Sequence, residues 1–291
     1  MLLINDNIAA LGAENNVDAT DTAMSSVVGQ LSSGLQIQTA ADNPAGYSIA
    51  QSLQSEINGY GAAESNAQTA VSVLQTAQGA MNQQEAILQQ ANTIATQAAN
   101  TTTDNGTANT ADSQEFASLI AQLDQIAQST TYAGVSLLNT TAGTSYTVGT
   151  STVTVPANNV LTFQVGPDAT NTDDSVTVNL VNTSASALLG ATALDLNSVA
   201  DAQSAMIAVQ SAINTLASAA ASLGSSQNQI QALSNNVTVA QQNLTSAHAD
   251  LVDVNVASAT SQFTSLQILE QSGISVLAQA QQLPQLALKL I

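Results

Sequence analysis

Groups able to do chemistry are few in this sequence, and they are scattered. It holds one histidine, His248, one basic side chain, Lys289, and no cysteine. A nucleophile needs a base beside it, and a zinc site needs several His or Cys ligands at close spacing. His248 has no second His or Cys to share a metal, and it falls on an apolar helical row, where a packed histidine is expected. No His-Glu-x-x-His run marks a metalloprotease helix. Asp168, Asp173 and Asp174 crowd one polar stretch, but without the spacing of a calcium loop, so a solvated turn is expected. Asn139-Thr140-Thr141 and Asn182-Thr183-Ser184 have the spacing of glycosylation acceptors, which so Thr-rich a chain contains by chance. The residue types thus point to a protein without catalysis, cofactor or metal.

The charge balance excludes further classes. Lys plus Arg total 1 against 20 Asp plus Glu, a formal charge of −19. Nucleic acid and anionic membranes both need basic residues, so neither is expected as a partner. Charged residues are only 7% and apolar residues 44%, so the acidity is not that of a disordered, solvated chain. Aromatics are 2%, which leaves Ala, Leu, Val and Ile to build the core and favours long, closely packed helices. Gln, Asn, Ser and Thr fill the polar positions. Such uncharged helix faces can pack against a neighbour without burying ions. No stretch approaches 18 consecutive apolar residues, so no transmembrane helix is expected. Residues 1–6 lack the basic and apolar regions of a Sec-type signal peptide.

The elements are read from periodicity. From Val199 to Leu251, apolar residues recur at a 3-4-3-4 spacing through Val209, Ile213, Leu216, Leu223, Ile230, Val237, Leu244 and His248, the seam of a long coiled-coil helix. Such a helix cannot bury its stripe alone. The matching series is Leu53, Ile57, Tyr60, Glu64, Ala67, Val71, Leu74, Gln78, Met81, Glu85, Leu88, and the two are expected to pair. Gly59 and Gly61 in the second series predict a bend. Residues 5–33 predict a helix through Ile8, Leu11, Val17, Met24, Val27, Val28 and Leu31, stopped at Gly34 in the left-handed conformation. Asn43 and Pro44 suit the cap and first position of the next helix. Residues 100–112 read as a loop, and Phe116 to Ile126 as a short amphipathic helix.

From Ser145 to Val181 the period changes to two, through Val153 and Val155, then Leu161, Phe163 and Val165, then Val176, Val178 and Leu180. This predicts three or four antiparallel strands. They are too few to stand alone and are expected to rest on the helices as a surface-exposed insertion. Past Leu251, a further helical run carries Val256, Ala259, Phe263, Leu266, Leu269, Ile274, Leu277 and Ala280. The apolar ends, Leu2-Leu3-Ile4 and Leu286 to Ile291, are expected to be buried only in an assembly.

These residues resemble bacterial flagellin. Leu31-Ser32-Ser33-Gly34-Leu35 matches the family's most recognisable motif, and Ala40-Ala41-Asp42-Asn43-Pro44-Ala45-Gly46 the segment after it. Asn243 to Ala247 and Gln267 to Ala280, through Pro284, resemble its C-terminal signature. The resemblance covers about 1–140 and 190–291 and implies a mainly α fold. In it, long antiparallel coiled-coil helices come from both chain ends, with a small antiparallel β insertion in the middle. The expected divisions are 1–43 with 252–291 as a terminal coiled coil, 44–142 with 188–251 as a helical rod, and 143–187 as the insertion. It implies a structural subunit that polymerises into the extracellular flagellar filament for swimming motility. Its partners would be other flagellin subunits, an export chaperone, the type III export apparatus, and the filament cap and hook-junction proteins.

The residues expected to pack subunits are Leu31, Leu35, Leu53, Ile57, Leu74, Leu88, Ile94, Ile213, Leu216, Ile230, Leu244, Leu251, Phe263, Leu266, Leu269 and Leu277. The segment from Leu88 to Gln97 aligns with the family's site for axial packing and Toll-like receptor recognition. Its receptor-facing counterparts are Gln89, Gln90, Ile94 and Gln97. The basic residues usual there correspond to Gln90 and Asn92, and an acidic one to Thr93. Axial packing is therefore expected through Leu88, Ile94 and amide hydrogen bonds rather than ion pairs, and receptor activation is not expected. A filament stacking −19 per subunit would repel itself at neutral pH and low salt, which predicts assembly in acid, high salt or divalent cations. The rival readings are a hook–filament junction protein, which shares the terminal coiled coils, and a coiled-coil surface adhesin with the β insertion as its head.

Overall fold

A computed structural model describes residues 7–100, 106–139, 145–148, 151–154, 160–168, 174–190 and 194–288. Its helices are α1 (Ile8–Ser33), α2 (Pro44–Ala98), α3 (Gly106–Ser129), α4 (Ala185–Leu189), α5 (Val199–Val252) and α6 (Val256–Leu288). Between them lie β1 (Thr131–Tyr132), β2 (Val135–Ser136), β3 (Ser145–Val148), β4 (Ser151–Thr154), β5 (Val160–Gln164) and β6 (Ser175–Asn179). The chain forms two compact units, residues 1–57 with 242–291 and residues 58–241. Both boundaries between the units fall inside helices, after Ile57 in α2 and after Gln241 in α5. The expected apolar ends at Leu2 to Ile4 and Leu286 to Ile291 lie outside the described side chains.

Helix starts and stops follow from local chemistry. The free amides of a first turn need acceptors, and short Asn and Ser side chains reach them. Asn7 caps α1 by accepting the Ala10 N–H at 3.2 Å, and Asn43 caps α2 by accepting that of Gly46 at 2.9 Å. Ser198 accepts the Asp201 N–H at 3.2 Å at the start of α5, and Asn255 that of Ser258 at 3.2 Å at the start of α6. Gly34 ends α1 at φ 78°, where a side chain would be strained, and donates to Gln30 O at 2.9 Å. The stretch read as a loop to residue 112 is already helical from Gly106.

In unit 2 the core is built from α2, α3, α5 and the β5–β6 hairpin. On α2 the buried rows are Ala67, Leu74, Met81, Leu88, Ala95 and Ala63, Ala70, Ala77, Gln84, Ala91, Ala98. On α5 they include Ala202, Val209, Leu216, Leu223, Ile230 and, beside them, Ala205, Ala212 and Ala219. The two helices run antiparallel: a Cβ at Gly61 would lie 3.3 Å from Gln241 Nε2, and one at Gly224 3.4 Å from Gln78 Nε2. Alanine rows let helix axes come close, near the lower end of the roughly 8–10 Å range. Each fully buried leucine adds about 2 kcal/mol. The second row on α2 differs from the one the sequence suggested. Glu64, Val71, Gln78 and Glu85 are half-buried flanks, and the alanine row beside them is the core.

α2 continues as helix through Gly59 and Gly61, from Pro44 to Ala98. Gly59 gives room to the hairpin turn, because a Cβ there would meet Pro167 Cβ at 2.8 Å. Asn66 Nδ2 adds a bond to Gln164 O at 3.1 Å. The segment from Ser145 to Val181 holds four antiparallel strands, paired as the hairpins β3–β4 and β5–β6, and β1–β2 forms a further hairpin before it. In β5–β6, Val176 and Val178 of β6 are buried in the helical core, while Thr162, Thr177 and Asn179 on the alternate positions are exposed. Val155 and the sequon at Asn139 extend beyond the described residues.

One polar side chain interrupts the core. Gln84 is fully buried (0% exposed) and donates through Nε2 to Leu123 O and Thr183 O, each at 3.2 Å. It thereby ties α2 to α3 and to the segment after β6. Its Oε1 and the buried Thr183 Oγ1 have no hydrogen-bond partner.

Candidate assembly surface

Unit 1 is organised by α1 and α6, which pair antiparallel. Asn7 Nδ2 donates to Ala280 O at 2.7 Å, across 273 positions of sequence. At the other end of α1, Gln36 N–H donates to Val252 O at 2.7 Å and Val254 N–H to Gly34 O at 2.9 Å, around a Leu35–Asp253 bridge. The α1 row facing its partner is Ala10, Ala13, Val17, Thr20, Met24, Val27 and Leu31, all buried or half-buried. The α6 row is Ala259, Phe263, Leu266, Glu270, Gly273, Leu277 and Ala280. Both step three and four residues alternately, the coiled-coil spacing. Gly273 is required by the close approach, since a Cβ there would lie 2.8 Å from Val17 Cγ2.

The loop from α1 to α2 is tied by Asp42. Its Oδ2 accepts the Thr39 N–H at 2.8 Å, the Gln38 N–H at 3.1 Å and the Thr39 hydroxyl at 3.1 Å. The Thr39 N–H, then the Gln38 N–H, then the hydroxyl hold its carboxyl below the usual 3.8. A depressed folded value means that the loop's stabilisation is complete above pH 3.8 and fades as pH falls through the lower folded value. Amide exchange at Gln38 and Thr39 is expected to stay slow down to that value and to quicken below it. Exchange that quickens already well above pH 3.8 would show that the carboxylate does not hold the loop.

Several apolar side chains lie on the outside of the α1–α6 pair. Ile8 is 69% exposed and Leu11 58%, and Val28, Val256, Ile268, Leu269, Ile274 and Val276 are also exposed. A groove of about 530 Å³ runs between the two helices, lined among others by Ala13, Val17, Thr20, Leu266, Gly273 and Val276. Thr hydroxyls on the helices mostly bond back to the carbonyl four residues earlier, as Thr20 does to Asn16 at 2.8 Å and Thr264 to Thr260 at 2.9 Å. They therefore carry less unmet hydrogen bonding into a contact than free hydroxyls would.

The residues expected to pack subunits divide into three groups. Leu74, Leu88, Ile94, Leu216 and Ile230 are buried in unit 2's own core, so their packing is within the chain. Leu31, Leu35, Leu53, Ile57, Ile213, Leu244, Leu251, Phe263, Leu266 and Leu277 are half-buried, and Leu269 is exposed. The sequence missed Ile268 and Val276, whose exposure on α6 appears once the row through Glu270 and Gly273 is seen to face α1. Of the receptor-facing counterparts, Gln89, Gln90 and Gln97 are exposed, while Ile94 is 7% exposed and faces inward. Leu88 and Ile94 pack within unit 2 of the single chain. Gln89 Nε2 donates to Glu85 Oε1 at 3.2 Å.

His248 is half-buried on α5. Asp174 Oδ2 accepts the Asp168 N–H at 3.0 Å, and its backbone carbonyl accepts the Val165 N–H at 2.8 Å, so this carboxylate closes a hairpin turn. Asp173 lies outside the described residues. Among the described residues, no three His, Cys, Asp or Glu side chains form a group able to hold a metal. By length and composition alone α5 could cross a membrane, its best window having mean hydropathy 1.3, which the run-length reading of the sequence did not register. Its Leu, Val and Ala rows in unit 2 face that unit's core.

Comparison with known proteins gives these surfaces a context. Residues 4–142 match the bacterial flagellin N-terminal helical region and residues 206–291 the bacterial flagellin C-terminal helical region. Flagellin of Bacillus subtilis (strain 168) is 35% identical over 308 residues, covering 99% of each chain. Flagellin of Halalkalibacterium halodurans is 30% identical over 294 residues, covering 100% of both. The crystal structure of Bacillus cereus flagellin is 28% identical, covers 63% of this chain and 94% of its own, and superposes with a TM-score of 0.49. With both terminal regions matched and two relatives at 35% and 30% identity along the whole chain, the chain belongs to the bacterial flagellin family, the structural subunits of flagellar filaments.

Proposed function

We propose that this chain polymerises through unit 1 into an extracellular flagellar filament that serves swimming motility, and that it acts without catalysis. The observation that carries the reading is the set of apolar side chains left outside the α1–α6 pair, with Ile8, Leu11 and Val28 on α1 and Ile268, Leu269, Ile274 and Val276 on α6. Exposed apolar surface of this extent on paired helices calls for a partner. The groove, lined in part by Leu269 and Val276, and the apolar residues projecting elsewhere, such as Ile8 and Leu11, would make a contact between unlike surfaces, which propagates as a helical filament when its rotation does not close. The half-buried Leu31, Phe263, Leu266 and Leu277 set the pair that presents these residues. Export through a type III apparatus, with a chaperone holding the α6 region and a cap and junction protein at the filament ends, completes the proposed partners. The exposed amides at Gln89, Gln90 and Gln97 leave the receptor-facing site without its usual charges, so we also propose that receptor activation is weak or absent.

The test is electron microscopy of purified chain added to filament seeds, comparing wild type with Leu11→Ser/Ile268→Ser. Wild type is expected to give uniform helical filaments, and the double variant to remain monomeric with unchanged helix content by circular dichroism. Filaments from the double variant at the wild-type critical concentration would refute a role for this surface.

A further inference from the structure

We propose that Gln84 is a register lock: it admits one alignment of α3 on a nearly repeating face of α2, and it is kept for that uniqueness rather than for stability.

The buried face of α2 repeats itself. One row reads Ala63, Ala70, Ala77, Gln84, Ala91, Ala98 and the other Ala67, Leu74, Met81, Leu88, Ala95, each stepping seven residues. A shift of seven exchanges alanine for alanine and leucine for methionine, side chains of similar volume. A helix resting on this face therefore meets comparable packing one heptad away, a displacement of about 10 Å. Phe116, Leu119, Leu123 and Ala127 of α3 belong to the same core, and apolar contact alone separates the two alignments weakly.

Gln84 breaks the repeat. It stands where the row calls for alanine, and its Nε2 donates to Leu123 O and Thr183 O, each at 3.2 Å. These two acceptors form one frame fastened to α3. Asp124, next to Leu123, accepts the Ala185 N–H at 3.2 Å through Oδ1, and the Thr183 N–H donates to Leu138 O at 2.8 Å. A shift of one heptad would set Ala77 or Ala91 at this frame, and a methyl group donates nothing. Both bonds would be lost, and the amide would lie away from both acceptors.

Stability does not explain the residue. Among the described residues, Gln84 Oε1 and Thr183 Oγ1 are buried without a hydrogen-bond partner, which costs free energy that an apolar side chain would not. A single polar side chain in an apolar seam that fixes alignment at the expense of stability is the best-attested use of such a group.

The experiment measures the distance between α2 and α3 in full-length chain in dilute solution. The chain has no cysteine, so Ala86→Cys and Ala121→Cys, both at exposed positions, carry the only two spin labels. Electron–electron double resonance is expected to give one narrow distance when Gln84 is present. Gln84→Leu is expected to give two populations or one broad distribution, spread over about 10 Å, with helix content kept and the thermal midpoint within about 5 °C. Thr183→Val, which removes the unpaired hydroxyl and keeps the carbonyl, is expected to hold the single narrow distance. One unchanged narrow distance in Gln84→Leu would overturn the lock. So would a midpoint in Gln84→Leu lower by more than about 5 °C, which would show that the amide is there for stability. A split distance in Thr183→Val with Gln84 intact would also overturn it, by placing the choice of register elsewhere than the amide.

Discussion

Gln84→Glu is expected to lower the thermal midpoint of unit 2 by roughly 10 °C at pH 7, from a loss of about 3–5 kcal/mol. Gln84 has no access to solvent, and its Nε2 serves two carbonyls, Leu123 O and Thr183 O. A carboxylate in its place removes both donors and sets a negative oxygen against the two carbonyls. Among the described residues there is no Lys or Arg to pair with it. Burial raises the folded pKa of such a glutamate above its unfolded value of about 4.3. The destabilisation is therefore small below about pH 4, where the acid is neutral in both states and can donate one bond, and it grows as pH rises. Circular dichroism melts at pH 4 and pH 7 would show a variant near wild type in acid and far below it at neutrality. Gln84→Leu, which removes the unpaired oxygen together with the donors, should move the midpoint much less. A Gln84→Glu melt that matches wild type at pH 7 would mean that solvent reaches this position.

Gly273→Val is expected to abolish filament formation while leaving unit 2 folded. A single Cβ at residue 273 would already lie 2.8 Å from Val17 Cγ2, and the branched side chain adds two methyl groups to that clash. Relief requires α6 to move away from α1 along the seam, which loosens the Phe263, Leu266 and Leu277 contacts and displaces the exposed residues proposed to meet the next copy. Overpacking of this kind typically costs about 1–3 kcal/mol, enough to open a pair whose described fully buried positions on α1 are only Ala13 and Val27. Gly273→Ala should show a weaker version of the same defect. Sedimentation after seeding reads the assembly, and the melt of the remaining helices reads unit 2. Normal filaments from Gly273→Val would show that the pair tolerates separation.

What the sequence could and could not show has a physical pattern. The long helices, their caps at Asn43 and Gly34, and the antiparallel pairing of two heptad series were legible, because each depends on local spacing or on one residue's special geometry. The α5 seam through Val209, Leu216, Leu223 and Ile230 is buried as its period required. On α2 the period was right and one row was wrong. Alanine is small enough for either surface or core, so the row Ala63, Ala70, Ala77, Ala91, Ala98 carries little hydropathy signal, and Val71 beside it drew the assignment. On α6 the row facing α1 runs through Glu270 and Gly273, two residues that no apolar pattern would select. The glycine is there for proximity, which only a partner helix reveals. The β5–β6 hairpin was recognisable by its period of two, but its inclusion in the helical core was not, since nothing local says what Val176 and Val178 lean against. Which apolar residues were core and which were surface on α1 depended on where α6 lay, at a sequence distance that periodicity cannot span.

The bond from Asn7 to Ala280 has a kinetic meaning. Closing 273 positions of flexible chain is entropically costly, and contacts so far apart form late unless something shortens the intervening loop. Unit 2 does so when it folds, since Gly61 and Gln241 then lie side by side and only the outer segments remain to be closed. The order is thus set by topology: the interior of the sequence condenses first, and α1 finds α6 only after the last residues of the chain have arrived. A chain delivered only as far as α5 lacks the α1–α6 pair and so has none of the pair's surface to offer.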